Sequence, residues 1–278
     1  MPTNHVNFNF TQSGLNIDTL TLICEHLNMK EACNLYRTGS IILREAIAKT
    51  EFDFYRTGEA IPPGVSVKQF RKVFASAIGI KISQPFKLTP EDFDYMVPSH
   101  CKDKPKGLAK VKIDMSIKHG ELANDDLIGH AKYNRNAFNK LQGIHTLDIS
   151  NNYFVKYRNI KSLKDIKYLN MSGCNHLDHS VLQYLTKIKC LALNDCSRMT
   201  NKALTYLKSN DLEILEVNGS CGITEEALKK FSEKYPNLIW FAYLYEDLPY
   251  EDYYDDFYDY SLVSIKKKGL KFHLVKTK

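Results

Sequence analysis

Aliphatic residues recur along this chain at a fixed spacing. Ile166-Lys-Tyr-Leu169-Asn-Met171-Ser-Gly-Cys174 and Ile188-Lys-Cys-Leu191-Ala-Leu193-Asn-Asp-Cys196 carry apolar residues at the first, fourth and sixth positions and cysteine at the ninth. The same register gives Ile144, Leu147, Ile149 and Asn152 upstream, and Leu212, Leu215, Val217 and Ser220 downstream, with a looser copy at Leu238, Phe241 and Tyr243. Weaker copies begin near Leu108 (Val111, Ile113), Ala77 (Ile80, Ile82) and Lys49 (Phe52, Phe54). Alternation at the later positions predicts a short strand in each unit, every second side chain pointing inward. Four residues after Cys174, Cys196 and Ser220 stand Asp178, Thr200 and Thr224, side chains able to cap a helix. After each cap, Val181, Leu182 and Leu185, then Ala203, Leu204 and Leu207, then Ala227, Leu228 and Phe231 trace one helical face. Leu177, Met199 and Ile223 precede the caps, where a hydrophobic staple sits. Ser66, Thr89 before Pro90, and Asn124 open similar helices in the weaker units.

The unit starts at 49, 77, 108, 144, 166, 188, 212 and 238 are separated by 28, 31, 36, 22, 22, 24 and 26 residues. These are leucine-rich repeat lengths, with insertions in the first half. The expected fold is an α/β leucine-rich repeat solenoid, with parallel strands on its concave face and helices on its convex face. Asn152, Cys174, Cys196 and Ser220 hold one place in successive units, where a small buried donor meets backbone carbonyls left open by the inward bend. A metal site at Cys174, His176 and His179 is the competing reading, but these residues lack the paired spacing of zinc ligands.

Ahead of the repeat, Leu20, Ile23 and Leu27 share one face of a helix that Asn16 or Asp18 caps. Asn28 with Glu31 opens a second helix, and Ser40 a third carrying Leu43, Ala46 and Ile47. Three helices of this length bury little surface alone and need a partner or the solenoid. The segment from Leu15 to Ile47 resembles an F-box, through its Leu-x-x-acid-x-Leu opening, the aliphatic residues continuing the first helix, and Ala32 and Leu35 in the second. It departs from that pattern at Asn16, where proline is usual, and in having its one tryptophan at Trp240 rather than in the third helix. The repeats behind it resemble the cysteine-containing leucine-rich repeats that follow F-boxes. A plain helical cap protecting the first repeat is the alternative.

The resemblance implies the substrate-recognition subunit of a Skp, cullin and F-box type ubiquitin ligase. It would hold a Skp-family adaptor, and through it a cullin ligase, by Leu15, Ile17, Leu20, Ile23, Leu27, Ala32 and Leu35. Some of these must instead pack the three helices together, and sequence does not divide them. The concave face would hold a target protein. Strand alternation places Lys81, Lys110, Lys112, Asp114, Thr146, Asp148, Ser150, Tyr168, Asn170, Ser172, Cys190, Asn194, Ile214, Glu216, Asn218 and Trp240 there, basic in the early units, with Tyr168 and Trp240 as candidate anchors. A repeat scaffold or regulator with no ubiquitin role is the other reading.

Composition narrows these classes. The 278 residues include 38 Lys+Arg and 32 Asp+Glu, a net charge of +6, too modest and scattered to indicate nucleic-acid binding. No apolar run approaches the ~18 residues of a membrane span, and the first fourteen residues do not resemble a secretory signal. Seven cysteines, an odd number, suit a reduced compartment, so cytosol or nucleus is expected. No G-x-S-x-G, G-x-x-x-x-G-K-[ST] or H-E-x-x-H occurs, so neither enzymatic activity nor a cofactor is expected. From Glu246 to Tyr260 there are seven acids and five tyrosines without Lys or Arg; Ser261 to Lys278 holds six lysines without an acid. This pair of blocks is expected to fold as a hairpin capping the last repeat, an acidic-aromatic docking segment or basic tail being the alternative. The organisation read from sequence is a flexible start over 1–14, an F-box-like module over 15–48, repeats over 49–245 and the charged segment over 246–278.

Overall fold

The computed structural model describes residues 16–102, 104–118, 133, 136–219, 222–235, 238–241, 260–261 and 275–276. Three helices lead: α1 (Ile17–Cys24), α2 (Met29–Arg37) and α3 (Ile41–Lys49). Asn16, Asn28 and Ser40 accept the first-turn N–H groups of Thr19, Glu31 and Leu43, and Glu31 returns a bond to Asn28, closing a capping box. Leu20, Cys24, Ala32, Leu43, Ala46 and Ile47 are buried between the helices. The module is continuous with the first repeat unit. Its apolar residues join the same core, Met29 N–H donates to the Glu59 carboxylate at 3.0 Å, and the Tyr36 hydroxyl donates to the Lys72 carbonyl at 3.4 Å.

Behind it runs one parallel sheet in sequential order: β1 (Ala60–Ile61), β2 (Gly79–Ile82), β3 (Lys112–Asp114), β4 (Thr146–Asp148), β5 (Tyr168–Asn170), β6 (Cys190–Ala192), β7 (Ile214–Glu216) and β8 (Ile239–Phe241). Each strand pairs only with its sequence neighbours, and helices carry the chain back between them. This is the α/β leucine-rich repeat solenoid expected from the period. Ile80, Ile113, Leu147, Leu169, Leu191 and Leu215 align across the sheet and are buried, while the residues flanking them lie mostly half-exposed on the other face.

The return helices differ among the last three complete units. The 22-residue unit that starts at Ile166 closes with a 3₁₀ segment over His179–Tyr184, not the α-helix its apolar spacing predicts. The 24-residue unit fits a short α-helix, Lys202–Tyr206, and the 26-residue unit a full one, Glu225–Lys234. A 3₁₀ turn spans more distance per residue, so the short unit can still return to the next strand. Asp178, Thr224 and Ser66 act as caps as expected. Thr89 does not open a helix directly. It exchanges bonds with Asp92, and the helix begins at Phe93.

The ladder positions behave as the sequence predicts. Asn152 Nδ2 donates to the Met115 carbonyl at 2.8 Å, Cys174 Sγ to the Ile149 carbonyl at 3.1 Å and Cys196 Sγ to the Met171 carbonyl at 3.3 Å, each reaching one unit back. Burial pushes the Cys174 thiol up to about 12 and the Cys196 thiol to about 11, so both remain protonated donors. Tyr133 enters from the longest insertion to pack with Phe93, Phe138 and Phe154, its hydroxyl donating to the Pro85 carbonyl and accepting from Asn152.

Two sequence expectations change. The first unit, read as a strand through Phe52 and Phe54, keeps only a parallel bridge from Asp53 to Gly79; the chain then turns out through a short helix, α4 (Phe54–Thr57), before β1. At the far end, Trp240 pairs with Leu215. The last strand therefore runs one residue ahead of the Leu238, Phe241 register, which moves Trp240 from the open face to the row packed on the core. Leu15, Asn124, Ser220, Tyr243 and the expected apolar contacts of the C-terminal cap lie outside the described residues. Of the charged segment, Tyr260–Ser261 pairs antiparallel with Val275–Lys276.

Candidate functional site: the strand face and the helical module

Parallel register builds the strand face in rows. Lys112, Thr146, Tyr168, Cys190, Ile214 and Ile239 follow Asp53 and Gly79 in one row; Lys81, Asp114, Asp148, Asn170, Ala192 and Glu216 form the next. The first row passes from charged to apolar along the sheet, and the second stays largely polar.

The charged half is not the basic surface read from the sequence, because its lysines are paired. Lys81 meets Asp114 at 2.8 Å, and Lys112 reaches over Gly79 to Asp53 at 2.7 Å. Lys110 lies before the strand, bound to Glu51 at 2.7 Å, so it leaves the predicted stripe. Gly79 makes this crossing possible: a Cβ there would stand 2.0 Å from Asp53 Oδ1. Asp114 and Asp148 each accept from the N–H and hydroxyl of the serine two residues on, Ser116 and Ser150, and Asn170 accepts the Ser172 N–H. A repeated Asp/Asn-x-Ser turn thus ends the strands, a signal present in the sequence and missed there. Burial raises the Asp148 pKa, the facing Asp114 adds to the rise, and the bonds from Ser150 and Asn170 oppose it. Tyr55, carried on α4 over this half, has its phenol pushed up to about 12 by burial and by Asp148, Asp114 and Asp53. Nothing in the local pattern around Tyr55 pointed to this position; it follows from the detour in the first unit.

Beyond β4 the first row becomes apolar, while the second keeps Asn170 and Glu216. Tyr168 stacks on His145 with ring centroids 4.6 Å apart, and Cys190, Ile214 and Ile239 continue the row. Burial lowers the His145 pKa, and Lys112, Lys167 and Lys189 lower it further, leaving a neutral ring under Tyr168. Beside this row, Asn194 donates to Glu216 at 3.1 Å and accepts the Asn218 N–H, while Asn218 Oδ1 is buried without a partner. Tyr168 stays a candidate anchor and Trp240 does not.

In the helical module the structure divides residues that sequence could not. Leu20 and Ala32 are 3% and 0% exposed, so they pack the module and are removed from the adaptor-contacting set. Ile17, Leu27 and Leu35 are partly buried against the core. Ile23 is 48% exposed, and Leu22 and Ile41, absent from the predicted set, are 61% and 80% exposed. Leu22 and Ile41 fall on the helix sides opposite the buried residues of α1 and α3.

Among the described residues, no group of three or more His, Cys, Asp or Glu side chains is arranged to hold a metal ion. Cys174 turns into the core, while His176 bonds the Val155 carbonyl. The cysteines among the described residues are all free thiols.

No family model and no curated protein matches the sequence. The chain is similar to one in the crystal structure of the Rad7 and Elc1 complex in yeast, at 12% identity and a TM-score of 0.41, the match covering 81% of this chain and 59% of that one. It thus spans less than two thirds of that neighbour's length.

Proposed function

We propose that this chain is the target-recognition subunit of a Skp, cullin and F-box type ubiquitin ligase, gripping a Skp-family adaptor with its helical module and a target protein with the strand face. The observation that carries the reading is the outward aliphatic set on a capped, internally packed module: Leu22, Ile23 and Ile41 stand in solvent while the residues that hold the helices together are buried. Water-exposed aliphatics of this size are favoured where a partner covers them. On the strand face, the apolar row headed by Tyr168 suits a protein segment more than a small charged ligand. The chain itself contributes proximity, raising the effective concentration of a target lysine near activated ubiquitin carried by partner proteins.

The test is co-purification of the full chain with a Skp-family adaptor. Ile23→Asp and Ile41→Asp are expected to keep the native unfolding transition and lose capture; Leu20→Asp is expected to lose the fold of the module. Absence of capture by folded wild-type protein overturns the reading. A second reading, a repeat scaffold whose helices serve only as a cap, is favoured by the Met29 to Glu59 bond and the shared core. It predicts that Ile23→Asp changes no interaction.

A further inference from the structure

Between β4 and β8 the two rows of the strand face set different chemistry side by side. In the first, Tyr168, Cys190, Ile214 and Ile239 run without a charge. Burial pushes the Cys190 thiol up to about 11, so it stays neutral, and Ile239 is 40% exposed. In the second, Asp148 and Glu216 stand at either end of Asn170 and Ala192, half-buried on the open face. Neighbouring strands lie about 4.8 Å apart, so these carboxylates, three strands from each other, are separated by about 14 Å along the row.

Neither carboxylate forms an ion pair among the described residues. The lysines of this face are committed elsewhere, Lys81 to Asp114 and Lys112 to Asp53, and at the strand starts Lys167 meets Asp211 and Lys189 meets Glu213. Asp148 accepts from Ser150 and Asn170, and Glu216 from Asn194, all neutral donors. Burial, and then the facing Asp114, raise the Asp148 pKa, so its charge is held at a cost that a cation would relieve. An uncharged apolar row thus lies parallel to a row that ends in two acids without cations.

We propose that this part of the strand face binds an extended protein segment that is both basic and aliphatic, with two cationic side chains on Asp148 and Glu216 and aliphatic side chains on the row of Tyr168, Cys190, Ile214 and Ile239. The assignment rests on the reading of this face as the target surface, and names the class of segment that surface takes. Extended chain rises about 3.3 Å per residue, so cations about four residues apart span the two acids. Lying between the rows, such a chain turns alternate side chains to opposite sides. Cations at i and i+4 then meet the second row, while aliphatics at i+1 and i+3 meet the first. The methylene stems of lysine or arginine cover apolar surface as their heads reach the carboxylates. An acidic segment is repelled by both acids, and a uniformly polar one leaves the apolar row uncovered.

The experiment is an NMR titration of the full chain, read at the Ile214 methyls and the Tyr168 ring, with three end-capped peptides: Lys-Ile-Thr-Ile-Lys, its counterpart Glu-Ile-Thr-Ile-Glu, and the polar Lys-Ser-Thr-Ser-Lys. Saturable shifts are expected with the first alone, and they weaken as salt rises. Glu216→Gln keeps an oxygen for Asn194, and Asp148→Asn keeps one for Ser150. Each is expected to weaken binding about fivefold, the loss of one partly exposed charge pair. No saturable shift up to about 10 mM, a weak millimolar limit, overturns the assignment, as does equal binding of the glutamate or the polar peptide, or affinity unchanged in both variants. Self-association of the peptide-free chain that Glu216→Lys abolishes gives the face to a second copy and overturns it as well. Adaptor capture is scored separately. Capture without peptide binding removes this assignment and leaves the receptor reading; peptide binding without capture removes the receptor reading and leaves the surface for a basic segment.

Discussion

Asn152 shows how much a single polar side chain can hold. Its amide donates to the Met115 carbonyl and the Tyr133 hydroxyl and its carbonyl accepts the Phe154 N–H, all inside the core. Replacing it with alanine takes these bonds from the buried Met115 carbonyl and Phe154 N–H, while the Tyr133 hydroxyl keeps Pro85, and we expect Asn152→Ala to cost about 3 kcal/mol, read from urea unfolding. Its place in the ladder was legible, since it stands where Cys174 and Cys196 stand in the following units. Its bond to Tyr133 was not, because Tyr133 comes from an insertion with no period. Asp148 gives a pH-dependent prediction. Its folded pKa is raised by burial, then by Asp114, so ionisation costs stability at neutral pH, and the cost disappears as pH falls through the folded value. Asp148→Asn keeps an oxygen for Ser150 and removes the charge, while giving up the acceptor for the Asn170 amide. The variant is expected to unfold at higher urea than wild type at neutral pH, the gap closing on acidification.

Among the elements, the strands were the most legible and the return helices the least. Strand positions follow from alternation, which depends on neighbours two residues apart. Return helices are not set by apolar spacing alone: Val181, Leu182 and Leu185 have helical spacing yet lie in or beside a 3₁₀ segment, while the equally long unit before it returns through the α-helix Tyr157–Ile160. The first unit adds a constraint of another kind. With Asp53 bridged to Gly79 and bonded to Lys112, the chain leaves the sheet through α4 and places Tyr55 over three carboxylates. Gly79→Ala puts a Cβ on Asp53 Oδ1 and within 3.0 Å of its backbone. We expect a loss of about 2 kcal/mol from this overpacking, visible as a lower thermal midpoint. The helical module was legible as three capped helices, but the division into packing and outward residues was not, since Leu20 and Ile23 are equivalent in spacing and differ only in what packs against them.

At the scale of the whole molecule, the module and the repeats form one structure. Their shared core and the Met29 to Glu59 bond mean that the expected boundary at residue 48 crosses packed contacts. Beginning the chain at Glu51 would remove the module's share of that core and leave the Glu59 carboxylate without the Met29 N–H. We expect such a truncation to lower the thermal midpoint and promote aggregation, measured by unfolding and light scattering, whereas separable domains would leave both unchanged. The net +6 likewise acquires places: the lysines read as a basic binding stripe are paired with Asp53, Asp114 and Glu51. By itself the sequence determined the repeat, the ladder, the caps at Asp178, Thr224 and Ser66, and the buried face of the strands from β2 to β7, because those depend on periods of two to about four residues and on one recurring turn. The tertiary structure alone decided which charges neutralise each other, which aliphatics of the module remain in water, and which side of the last strand Trp240 takes. Each of these is set by contacts between residues far apart in the chain, and a one-residue change in loop length is enough to reverse the last.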